Sequence, residues 1–116
     1  MRCKRCKQEG SPIYEILTKL EEQESITVLA SCSGHVYEGH VNLPEKPYIL
    51  FSTHSFRMLE NLWQRVFSKL SVPTWVVYNG SRQFIFEIDL PSIWPQRDEI
   101  ISEIWKAIAD RMRNFK

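Results

Sequence analysis

Thiols and imidazoles are the side chains of this chain best suited to hold a metal or attack a substrate, and four of them fall into one pattern. Cys3 and Cys6 form a C-x2-C pair near the amino terminus, and Cys32 and His35 form a C-x2-H pair. Together they make the donor set of a Cys3His zinc site, in which three thiolates and one imidazole complete a tetrahedral shell. A closed shell leaves no position for water, so such a site staples the fold rather than catalysing a reaction. The amino-terminal pair stands among Arg2, Lys4, Arg5 and Lys7, with no apolar periodicity to dock residues 1–10 on a core. Zinc would order that segment, because metal binding contributes folding free energy directly. The plain alternative is a frayed tail whose cysteines are incidental.

The second half of the pattern lies in Ala30-Ser31-Cys32-Ser33-Gly34-His35-Val36-Tyr37-Glu38-Gly39-His40. Gly34 can take the positive φ that turns the chain and brings Cys32 and His35 to one centre. His40 is an alternative fourth ligand, and Glu38 is spaced to orient either imidazole. A second chemistry uses Cys32 as a nucleophile, with His35, His40 or His54 as its base, and needs a depressed thiol pKa and hydrogen-bond reach. Cys32 and His40 are the catalytic candidates on that reading. The bland one makes Cys32 a buried core thiol, the usual fate of a lone strand cysteine, and His54 a capping or surface residue. Loops at strand ends collect side chains that a rigid sheet positions, so Ser31, Ser33, Gly34, Tyr37 and His40 form the candidate substrate-binding group.

The rest of the chain must position these groups. At 116 residues it is expected to form one domain over 1–116, long enough to bury about two thirds of its unfolded surface. The charge of +1 excludes a global field drawing the protein to nucleic acid or an acidic membrane, so any such binding must be local. No run reaches the ~20 apolar residues of a membrane helix, and the amino terminus lacks the apolar segment of a signal peptide. The expectation is therefore a cytoplasmic protein, where three cysteines serve better as ligands, nucleophiles or core residues than as a disulfide.

Ser11-Pro12 reads as N-cap and first helical residue, and Ile13, Ile16, Leu17 and Leu20 repeat at helical spacing, predicting a helix over 12–22. A β-branched strand follows over 26–31. Tyr48-Ile49-Leu50-Phe51 is an unbroken apolar run, the pattern of a central strand covered on both faces. Ser55 caps a second helix in which Leu59, Leu62, Trp63, Val66, Phe67 and Leu70 share one stripe, with Val72-Pro73 ending it. Asn79-Gly80 between strands at 74–78 and 83–88 signals a hairpin with a type I′ turn. After Pro91 and Pro95, a third helix lines up Ile101, Ile104, Trp105, Ile108, Met112 and Phe115. Its last turn carries Arg111, Arg113 and Lys116, as the helix dipole favours.

The resulting order is α-β-β-α-β-β-α, an α+β fold with a mixed sheet of about four or more strands layered with three helices. Strand, strand, helix occurs twice in it without matching residues, a repetition that the small repertoire of ways to cover a sheet also explains. Ile49, Phe51, Leu62, Val66, Phe86, Ile104 and Ile108 should be among the most buried residues.

The eight residues Thr27-Val28-Leu29-Ala30-Ser31-Cys32-Ser33-Gly34 contain a Ser-Cys-Ser-Gly signature that resembles the Tyw3 family, enzymes of wybutosine synthesis that methylate a modified guanosine in phenylalanine tRNA. The later strand Tyr48-Ile49-Leu50-Phe51 followed by a helix is similar in layout. The resemblance implies a substrate- or cofactor-facing strand end at Ser31, Cys32, Ser33 and Gly34, S-adenosylmethionine as cofactor, and RNA or a nucleotide as partner. With the zinc pattern it points to a zinc-stapled, Tyw3-like domain in tRNA modification, with residues 2–7 supplying phosphate contacts. Two readings from other classes stand beside it: a small cysteine-dependent enzyme, and a protein-interaction module that zinc only staples.

Overall fold

A computed structural model describes residues 12–32, 47–78, 80, 82–90 and 95–115, apart from the side chains of Pro12, Trp75, Val77 and Asp98. The elements run α1 (Pro12–Glu21), β1 (Ile26–Cys32), β2 (Tyr48–Thr53), α2 (Phe56–Leu62) continued by a π-helical turn (Trp63–Phe67), β3 (Thr74–Tyr78), β4 (Gln83–Ile88) and α3 (Arg97–Arg113). This is an α+β fold in the order the sequence predicts. The four strands form one sheet ordered β1-β2-β4-β3.

Every pairing in that sheet is antiparallel, which corrects the expected mixed sheet. The reason lies in the crossover. The connection through α2 does set β3 in the same direction as β2, as a strand-helix-strand unit should, but β4 folds back between them and no parallel pair is hydrogen-bonded. The two strand-strand-helix units thus each give their second strand to the centre of the sheet.

Burial alternates along both central strands. Ile49 and Phe51 of β2 and Phe84, Phe86 and Ile88 of β4 are buried on the face that the helices cover. Tyr48 and Leu50 on the other face are only half-buried. The apolar run at 48–51 is therefore central, with the described helices packed over one of its faces. All seven residues expected in the core are buried, Ile104 and Ile108 of α3 included. Phe86 ties the layers together, stacking on Phe67 at 4.1 Å between centroids and meeting Trp105 edge-on at 6.1 Å. Helix α1 buries Ile13, Ile16, Leu17 and Leu20 and packs on α3 and β1. Arg113 of α3 donates to Glu15 of α1 at 3.1 Å. That bond and the Glu15 charge, helped by Asp110, raise the Arg113 pKa above its ordinary value.

Two local features depart from the periodicity of the sequence. In β1 the register slips between Val28 and Ala30, leaving Leu29 as a bulge. Val28 stands opposite Phe51 on the helix side, whereas Ala30 and Cys32 stand opposite Leu50 and Tyr48 on the outer side. In the second helix Ser55 does cap the start, its Oγ accepting from the Met58 N–H at 3.1 Å. The last turn, however, is a π-helix closed by Ser68 N–H donating to the Trp63 carbonyl at 2.9 Å. The chain then leaves the helix, with Lys69 at φ 57°, so Leu70 lies beyond the helix it was expected to complete.

Arg111 explains how that wide turn can end. Its guanidinium donates to the carbonyls of Val66 at 2.9 Å, Lys69 at 3.1 Å and Ser68. Read from the sequence as a partner of its own helix dipole, Arg111 instead satisfies the carbonyls at another helix's end. The hairpin also differs in detail. Four residues, 79–82, connect its strands, and the Gln83 N–H donates to the Gly80 carbonyl at 2.8 Å, so the closing turn runs from Gly80 to Gln83. Asn79 of the predicted turn lies outside the described residues.

Candidate functional site

Of the expected zinc ligands only Cys32 is described; Cys3, Cys6 and His35 lie outside the described residues, as do Ser33, Gly34, Tyr37, Glu38 and His40. Among the described residues no group of three or more His, Cys, Asp and Glu side chains is arranged to hold a metal. Cys32 ends β1 and is 1% exposed. The bulge at Leu29 sets it on the sheet face away from the helices. Without that extra residue, period-two alternation from Ile26 would aim Cys32 into the core. Burial to this degree suits a ligand or packed thiol and denies a substrate the access that a nucleophile needs.

Ser31, its neighbour in the signature, is paired with Ile49 and buried on the helix side, where its hydroxyl oxygen has no hydrogen-bond partner among the described residues. Ser31 and Cys32 therefore sit on opposite faces of the sheet and cannot serve one site through their side chains. His54 stands exposed after β2, its Nδ1 within hydrogen-bond reach of Arg82 Nη1 of the hairpin loop. It acts as a surface residue, as its position before a helix cap suggests.

A concave feature of the described surface lies elsewhere. A groove of about 620 Å³ runs between α2 and the edge strand β3. Phe56, Leu59, Glu60 and Trp63 make its helical wall; Thr74, Val76 and Tyr78 make its strand wall, with Phe84 beneath. Rows across the sheet explain the strand side. Tyr78 stands opposite Phe84, which stands opposite Phe51, so one line of rings runs from the core to the edge. The Tyr78 and Phe84 centroids are 5.6 Å apart.

Phe56 is 76% exposed, Tyr78 63% and Trp63 36%, so three of the four large hydrophobics exposed among the described residues line this one groove. Glu60 is its single charged lining residue. These groups were passed over in the sequence because Phe56 lies off the apolar stripe of its helix and Tyr78 reads as an ordinary strand residue. The available signal was Thr74-Trp75-Val76-Val77-Tyr78 itself, a strand with no charge on it. Among the described residues no helix is long and apolar enough to cross a membrane. No protein-family model matches the chain, and no match was found to it among curated proteins or solved structures.

Proposed function

We propose that this domain is a protein-interaction module that receives an extended apolar segment in the groove between α2 and β3. The observation that carries this reading is the gathering of Phe56, Trp63 and Tyr78, all exposed, along one groove beside a strand edge that no described strand pairs. Isolated exposed hydrophobics need no explanation, whereas a contiguous apolar patch marks a contact surface. Selecting a displayed random-peptide library on the purified chain tests it. Enrichment of extended apolar peptides whose binding is lost in Phe56→Lys and Tyr78→Lys supports the module. Binders indifferent to both substitutions, or a monomeric chain that selects none, refute it.

A second reading keeps the zinc-stapled, Tyw3-like domain that binds RNA or a nucleotide. Its support is the Ser-Cys-Ser-Gly signature together with the burial of Cys32 on a sheet face over which no described helix packs. On this reading zinc held by Cys3, Cys6, Cys32 and His35 orders the amino-terminal segment. Elemental analysis of protein purified without added metal should find one equivalent of zinc that Cys32→Ser loses. A metal-free wild type removes the staple.

A further inference from the structure

We infer that the occupant of the groove is a second copy of this chain, β3 pairing antiparallel with β3 of its mate so that two four-stranded sheets join into one. The inference rests on the interaction-module reading and names the partner of that site. The two edges of the sheet differ in a way that decides which is built to be paired. The β1 edge carries the bulge at Leu29, a device that disrupts further pairing, whereas β3 has no bulge, no charge and no proline over Thr74–Tyr78.

That strand is also complementary to itself. Antiparallel pairing centred on Val76 sets Thr74 opposite the mate's Tyr78 and Trp75 opposite its Val77, and no like charges meet. The net charge of +1 adds no long-range repulsion between copies. The two-fold axis of such a joint runs through the sheet, so both helical layers stay on one side. The groove's strand wall, β3, is also the edge of the sheet, so in the pair the grooves of the two copies adjoin across the joint.

The area is sufficient for a pair of copies. Aromatic side chains of ~150–250 Å² each, exposed at 76%, 63% and 36%, leave roughly 350 Å² of ring surface per copy. An isologous pair covers it twice, about 700 Å², and the joined strand edges bring the total toward the ~1,000 Å² that a specific interface requires.

Sedimentation velocity of the full chain from ~1 μM to ~1 mM should show mass rising from 13.8 kDa toward twice that value. Phe56→Lys and Tyr78→Lys, each present twice in the interface, should raise the dissociation constant at least ~30-fold while the circular dichroism spectrum holds. Amide exchange over Thr74–Tyr78 should slow as concentration rises. A monomer throughout, or a dimer untouched by both substitutions with unchanged exchange in β3, overturns the inference. A monomer that still selects groove-dependent apolar peptides leaves the module reading standing, and one that selects none removes both.

Discussion

Replacing Arg111 by Met tests the account of how the second helix ends. The substitution keeps the aliphatic stem and removes the guanidinium that meets three carbonyls, two of them in part-buried surroundings. A hydrogen bond to a charged group contributes ~1.5–3 kcal/mol, but three acceptors share one side chain and the Lys69 carbonyl is solvent-facing. The sum is therefore nearer ~3 kcal/mol than three full bonds. For a domain of this size that lowers the thermal midpoint by ~10 °C. Urea unfolding followed by tryptophan fluorescence measures it, with an unchanged slope showing that the unfolded state is not altered. Arg113→Met is the control: the same chemistry two residues on in α3, on an exposed guanidinium whose partners are the half-buried Glu15 and the exposed Asp110. Its midpoint should stay within error. An Arg111→Met shift no larger than that of the control would refute the capping role.

Three further outcomes follow from packing and backbone geometry. Phe86→Ala removes the ring between Phe67 and Trp105 and should cost ~4 kcal/mol in the same titration; a cost below half of that would show that the layers are not joined there. Ser31→Ala removes a buried hydroxyl without a partner among the described residues and should leave stability unchanged or raise it by up to ~1 kcal/mol, whereas a clear loss would show that the hydroxyl is paired. Lys69→Gly relieves a left-handed backbone at φ 57° and should gain up to ~1 kcal/mol. A lower thermal midpoint would mean that the Lys69 side chain contributes more than its backbone costs.

What the residues disclosed in advance were features with a period or a local cap. The stripe Ile13, Ile16, Leu17, Leu20 and the stripe from Ile101 to Phe115 are buried as helical spacing requires, and Ser55 caps through its own side chain. The misses each concern one residue too many. The extra residue at Leu29 reverses the faces of everything after it in β1, and nothing in Ile26-Thr27-Val28-Leu29-Ala30 announces a slip. The wide turn at Trp63–Phe67 keeps apolar residues inward, as an α-helix would, so the pattern cannot separate the two; the difference lies in Arg111, distant in sequence. The groove was hidden for another reason. Periodicity identifies what is buried, while Phe56 and Tyr78 matter because they are not.

The place of β4 between β2 and β3 has a bearing on how the chain reaches this state. The pairings of β3 with β4 join near neighbours, Tyr78 to Phe84 being the tightest, whereas the centre of the sheet joins residues as distant as Tyr48 and Glu87. Closing that span costs chain entropy that is repaid only when Ile49, Phe51, Phe84 and Phe86 come together. Joining the two strand pairs is therefore expected to be the slow step, because neither half is complete without the other. A chain cut in the connection at 68–73 would give two such halves, each insoluble or unstructured alone. Mixed during refolding they should complement each other along β2 and β4, and the recovered circular dichroism would time the merger as a second-order process.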